Sequence, residues 1–140
     1  MTIKDIMSKN VQTVTPDTFL NEVARRMQRS DCGSVIVVEN DRLVGVITDR
    51  DLALRCIADS HHPAETKARQ VMTSEILYCR DSDNTEDVAR NMTENKVRRL
   101  PVLDKDKRLV GIISLGDLAS HSSDHHYLVC GKALGLICAS

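Results

Sequence analysis

The sequence predicts a mixed α/β (α+β) fold built from two copies of one β-α-β-β-α unit. Two observations predict it. Arg42 to Ala53 reads RLVGVITDRDLA and Arg108 to Ala119 reads RLVGIISLGDLA, identical at eight of twelve positions. Self-similarity of this kind marks an internal repeat. Within each copy, short β-rich runs bracket a stripe of apolar residues at helical spacing.

The first strand of each copy is expected at Val11–Val14 and Ile76–Cys79. A helix follows. Leu20, Val23, Ala24 and Met27 fall at i, i+3, i+4, i+7 in copy one, and Val88, Ala89 and Met92 mark the same stripe in copy two. Asp83 with Glu86 has capping-box spacing. Two β-rich runs come next, Ser34–Val38 and Leu43–Thr48, joined by Glu39-Asn40-Asp41-Arg42. Their counterparts are Leu100–Leu103 and Leu109–Ser114. The last helix starts near Asp49 in copy one and near Leu115 or Gly116 in copy two.

The copies are offset by 65 residues at Val23/Val88 and by 66 at Arg42/Arg108. The extra residue falls in Asp104-Lys105-Asp106-Lys107, a polar hairpin turn that tolerates an insertion. Asp5-Ile6-Met7-Ser8 likewise pairs with Gln70-Val71-Met72-Thr73. The expected organisation is repeat one over residues 1–58, a linker over 59–67 ending helical continuity at Pro63, repeat two over 68–121, and a helical tail over 122–140. A unit this small exposes an apolar sheet face, which two copies can bury about a pseudo-two-fold axis, leaving two equivalent clefts.

Composition excludes several functions. The net charge of −1 offers no cationic field for nucleic acid or anionic membrane. Phe19, Tyr78 and Tyr127 are the full aromatic set, too few for a base-stacking platform. The N-terminus lacks the apolar run of a signal peptide, and no stretch is long enough for a membrane helix. Five cysteines without a CxxC suit a reducing cytosol, so a cytoplasmic protein is expected.

The strand-to-helix junctions carry the chemistry. Gly45-Val46-Ile47-Thr48-Asp49-Arg50-Asp51 and Gly111-Ile112-Ile113-Ser114-Leu115-Gly116-Asp117 share the pattern Gly-h-h-[Thr/Ser]-x-x-Asp. The hydroxyl and carboxylate stand in the first turn of a helix, where they can simply cap it. The same geometry lets the carboxylate accept hydrogen bonds from vicinal ribose hydroxyls and lets the helix N–H groups meet phosphate. Arg50 either contacts phosphate or pairs with a neighbouring acid.

GVITDRD and GIISLGD resemble the nucleotide-contacting signature of CBS domains, and Val97-Arg98-Arg99-Leu100-Pro101-Val102 resembles their second-strand motif. The resemblance covers residues 3–58 and 68–121, and is to stand-alone bacterial pairs of such domains. It implies a Bateman module that binds AMP, ADP, ATP, NAD or S-adenosylmethionine in the clefts. It also implies roles. Asp51 and Asp117 would hold ribose, with Thr48 and Ser114 beside ribose or phosphate. Arg99, with Arg98, would reach the phosphates. The segments starting at Lys4 and Arg69, with Met7 and Met72, would border the opposite walls. Val46, Ile47, Ile112 and Ile113 would help floor the clefts. Copy one has Cys32-Gly33-Ser34 where copy two has Val97-Arg98-Arg99, so the Arg99/Asp117 cleft is expected to bind phosphate better.

The expected function is a non-catalytic sensor of an adenine nucleotide, acting in signal transduction as a homodimer on a protein partner that the sequence does not identify. Two rivals are a ligand-free interaction scaffold and a zinc- or redox-responsive protein. The second would use His121, His125 and Cys130, which share a tail with His126 and Cys138. An ordinary helical tail accounts for these residues too, so neither metal nor catalytic residue is expected. Cys32 and Cys79 lie in or beside strands, where cysteines are inert.

Overall fold

The computed structural model describes residues 1–121. Its secondary structure runs α1 (Ile3–Ile6), β1 (Thr13–Val14), α2 (Leu20–Ser30), β2 (Ser34–Glu39), β3 (Arg42–Thr48), α3 (Asp49–Asp51), α4 (Ala68–Val71), β4 (Cys79–Arg80), α5 (Thr85–Glu94), β5 (Arg99–Leu103), β6 (Leu109–Ser114) and α6 (Leu115–Ser120). Among the described residues there are two three-stranded sheets, ordered β1-β2-β3 and β4-β5-β6. In each, the first strand is parallel to the second and the second antiparallel to the third.

The chain forms two compact units, and they exchange their leading segments. One is continuous, Val11–Ile76; the other joins Met1–Asn10 to the chain from Leu77 onward. In the continuous unit, Val35, Val37 and Ile47 point from the sheet onto Leu20, Val23 and Met27 of α2, with Ala68 and Val71 of α4 in the same cluster. In the discontinuous unit, Leu100, Val102 and Ile113 meet Val88, Ala89 and Met92 of α5, with Ile3 and Ile6 of α1 among them. A buried aliphatic side chain contributes about 1.5–3 kcal/mol, so the short helices α1 and α4 hold by burial rather than by length. Each segment is also stitched to the last strand of its unit. Ser8 and Ile112 exchange both backbone hydrogen bonds (2.9 Å each), and Val46 and Thr73 do the same (3.0 and 2.9 Å).

The two hairpins show where the extra residue went. Asn40 and Asp41 both have positive φ (54° and 64°), making a two-residue turn whose twist suits the strands. In the second hairpin Asp104 spans a longer turn. Its carboxylate accepts from the N–H groups of Asp106 (2.8 Å) and Arg108 (2.9 Å), and Lys107 takes the positive φ.

Several expectations are corrected. Ala24 is exposed, because Leu20, Val23 and Met27 alone face the sheet and Ala24 falls at the edge of the stripe. The first strands are shorter than their apolar runs and begin later. Parallel pairing holds only two residues in each, and Leu77 and Tyr78 are left exposed. The cap of α5 is Asn84, whose side chain accepts from Glu86 N–H (2.7 Å); the Asp83 carboxylate turns back to Arg80 N–H (2.9 Å). The helix opened by α3 continues as π-type turns over Leu52–Ile57 and ends with Ser60 at φ 61°, ahead of Pro63. The polar stretch before α4 is tied down. Thr66 is buried, and the carbonyls of Thr66 and Pro63 accept from Leu20 and Asn21 N–H.

Candidate functional site

Each unit carries one β-to-helix junction, and the two are built alike. Thr48 ends β3 in extended conformation and caps α3; its hydroxyl accepts from Asp51 N–H (3.1 Å), while Asp51 Oδ2 accepts from Thr48 N–H (2.9 Å). Ser114 and Asp117 repeat this at 3.0 and 2.9 Å. The capping reading of the sequence motif is therefore realised in both copies. The box uses one carboxylate oxygen of each aspartate. The other oxygen of Asp51 lies 4.0 Å from Arg55 Nε, and the Asp51 side chain is 16% exposed. Asp117 Oδ1 has no protein partner among the described residues. Each junction thus pairs a fixed carboxylate that keeps an acceptor with the first N–H groups of a helix.

The strand ladder sets what stands beside each hydroxyl. Arg99 is opposite Ser114, and Ser34 is opposite Thr48. Directly opposed residues share a sheet face, so Arg99 and Ser114 project together on the face away from Leu100 and Ile113. Arg99 is exposed. The same register puts serine at this place in the continuous unit, so only the discontinuous unit has a guanidinium there. The Arg98 carbonyl accepts from Leu115 N–H (3.0 Å), holding β5 to the start of α6, and Gly33 does the same for Asp49 (2.9 Å).

The remaining candidates divide. Met72 packs under Gly45 and Met7 under Gly111; a Cβ on either glycine would sit 2.5 or 2.7 Å from the methionine sulfur. Ile47 and Ile113 are fully buried in the cores of their own units, so their side chains are not floors for a ligand. The strand alternation that buries them turns Val46 and Ile112, both half-buried, to the opposite face. Arg69 is held by Asp17 at 2.6 Å, and this partner raises its pKa. Lys4 is exposed and lines a groove beside the second hairpin with Met7. Arg50 is exposed, and its backbone N–H donates to the Asp49 carboxylate (2.8 Å).

Arg55 escaped the sequence reading, and His121 entered it only as a metal candidate. Arg55 and His121 occupy the same helical position, four residues after Asp51 and Asp117. Arg55 donates to the Val71 carbonyl (3.0 Å) and faces Asp51; a His121 ring nitrogen lies 3.0 Å from the Asp117 carbonyl. The i, i+4 spacing of Asp51 and Arg55 was the available signal. Of the proposed metal set, His125 and Cys130, with His126 and Cys138, lie outside the described residues. Among the described residues no group of three or more His, Cys, Asp or Glu is placed to hold a metal ion. Cys79 is buried, and this burial, aided by the Asp83 charge, pushes its thiol up to about 12, far from a nucleophile.

A model of the CBS domain matches residues 3–57 and 68–124. The chain belongs to the CBS-domain family. Its CBS relatives include the CBS domain-containing protein YhcV of Bacillus subtilis, 38% identical over 117 residues, with 84% of this chain and 82% of YhcV covered. Hypoxic response protein 1 of Mycobacterium tuberculosis is 32% identical over 134 residues, 95% of this chain and 93% of that protein. The crystal structure of hypoxic response protein I with two coordinated zinc ions matches with a TM-score of 0.79, 31% identity and coverage of 88% of this chain and all of that one. The CBS protein CBSX2 in complex with AMP matches with a TM-score of 0.70, 32% identity and coverage of 83% and 91%. The mixed α/β fold of two CBS repeats is shared with these structures.

Proposed function

We propose that the chain is a non-catalytic cytoplasmic sensor that binds an adenine nucleotide (AMP, ADP, ATP or NAD) at its β-to-helix junctions. The observation that carries this reading is the Asp117 carboxylate. It is fixed by Ser114 N–H through one oxygen and keeps the other open to a donor, with Arg99 on the same face as Ser114. A ribose supplies paired hydroxyl donors for such an acceptor, and a guanidinium suits the phosphate. The complex of CBSX2 with AMP supports the ligand class. Asp51 repeats the carboxylate without the arginine, so the discontinuous unit binds phosphate-bearing ligands more tightly. The side chains of Val46 and Ile112, and not those of Ile47 and Ile113, are available to an adenine. The module works as a homodimer, and its output depends on the ligand preferring one of two arrangements of the protein.

A thermal-shift screen against AMP, ADP, ATP, NAD and adenosine tests the reading, because a ligand bound only by the native state raises stability. A rise with AMP that Asp117→Ala and Arg99→Ala remove supports it; no rise with any of the five refutes it.

A second reading is zinc binding, favoured by the two zinc ions of hypoxic response protein I. Among the described residues only His121 of the proposed set is present. Its Nδ1 is engaged by the Asp117 carbonyl, which leaves Nε2 as the free ring nitrogen. Metal content of protein purified without a metal-affinity tag decides between one bound zinc per chain and none.

A further inference from the structure

The two units treat one equivalent position in opposite ways. In the continuous unit Asp17 draws in two cations, with Arg69 Nη2 at 2.6 Å and Lys67 Nζ at 3.4 Å from one carboxylate oxygen. At the 65-residue offset of the repeats, Lys4 stands for Arg69, and Ser82 stands for Asp17. The discontinuous unit has thus lost the carboxylate and kept a cation. What it has there is an open groove of about 690 Å³, within the size range of small-molecule sites.

The groove collects cations. Lys4, Lys9 and Lys105 line it, all exposed, and none is in an ion pair among the described residues. Two carboxylates are also present. That of Asp104 is occupied by two backbone N–H groups and its pKa is lowered by them, so it stays an anion bound to its own turn. Asp81 faces the groove next to the Ser82 hydroxyl, and together they offer acceptors to a hydroxylated ligand. Met7 and Val110 supply an apolar floor. Val110 is four residues before Ser114 on β6, about 13 Å along the strand, so the groove is not the junction that carries Asp117.

We propose that this groove is a second ligand site, specific for a phosphomonoester of a small polyhydroxylated molecule. The three ammonium groups take the phosphate as point charges. The carbon skeleton lies over Met7 and Val110, and its hydroxyls donate to Asp81 and Ser82.

The test titrates the full chain, ¹⁵N-labelled and carrying Asp51→Ala and Asp117→Ala so that the junctions are disabled, with glycerol 3-phosphate. Saturable shifts of the Ser82, Lys105 and Val110 amides are expected. Lys4→Gln with Lys105→Gln weakens binding about tenfold or more, since two charged partners are lost. Ser82→Asp gives Lys4 the partner that Asp17 gives Arg69, and abolishes binding in a chain whose spectrum remains folded. The proposal is overturned if no shift saturates at millimolar ligand, if Ser82→Asp binds like its parent, or if the shifts centre on Ser114. Because the junctions are disabled throughout, failure here leaves the nucleotide reading untouched, and failure there leaves this one.

Discussion

Asp117→Ala and Asp117→Asn together separate capping from ligand binding at one carboxylate. In the structure Asp117 Oδ2 accepts from Ser114 N–H at 2.9 Å, and the Ser114 hydroxyl accepts from Asp117 N–H at 3.0 Å. Alanine keeps the second bond and strips the first, leaving the N–H of half-buried Ser114 without its acceptor, at a cost of about 1 kcal/mol. Asparagine restores an oxygen in place and loses only the attraction of the charge for the helix N-terminus, a few tenths of a kcal/mol. Urea denaturation should therefore rank wild type and Asp117→Asn close together and Asp117→Ala lower by about 1 kcal/mol. Binding should rank differently. The amide offers one acceptor where the carboxylate offers two, and it is neutral, so AMP binding by calorimetry should fall about tenfold or more in both variants. If Asp117→Asn binds AMP like wild type, the carboxylate is a cap and nothing more. If Asp117→Ala is as stable as wild type, the capping energetics assigned here are wrong.

Other outcomes follow from the same geometry. Gly111→Ala should destabilise by about 1–3 kcal/mol, because its Cβ would meet the rigid Ser8 carbonyl at 2.8 Å as well as the Met7 sulfur. Gly45→Ala meets only the flexible Met72 side chain and should cost less, with Met72→Ala in the same chain recovering part of the loss in thermal denaturation. Arg69 holds the Asp17 carboxyl below its ordinary range. The folded state therefore favours the ionised form, and this stabilisation, complete above the ordinary range, drains as pH falls below about 4. The urea midpoint of Asp17→Asn should consequently fall less steeply with acid than that of wild type. Native-state alkylation at pH 8, read by mass spectrometry, should reach Cys32 well before Cys79, whose thiol stays protonated in its core; equal labelling would refute the assigned burial. Arg99→Ala should weaken AMP about tenfold and leave adenosine unchanged, whereas an equal loss for both would remove Arg99 from the phosphate.

The fold was legible because the repeat aligned two weak patterns against each other. Hairpins and last helices agree with the sequence reading, since alternation and a polar turn specify them locally. The short first strands did not, because Thr13–Val14 and Cys79–Arg80 take their bounds from a parallel partner distant in sequence. The junction motif was legible as a motif, and both of its readings were open. Sequence alone did not place Ile47 and Ile113 in the core while Val46 and Ile112 faced away, although strict alternation contains that answer. It also did not foresee that Arg69 would be taken by Asp17. The two are 52 residues apart, and they meet where the Ala68 and Arg69 N–H groups donate to the carbonyls of Thr18 and Pro16 in the loop before α2.

Ser8 and Ile112 form a bridge that closes a loop of about a hundred residues, and such closure is slow relative to local contacts. During synthesis the segment bearing Ile3 and Ile6 waits for β6 before those side chains find cover. The unit bearing Thr48 and Asp51 faces no such wait, since all its parts have emerged once Ile76 has. Synthesis thus yields one finished half while the half with Asp117 still holds two exposed isoleucines, and that interval is when the nascent chain is most open to aggregation or chaperone capture.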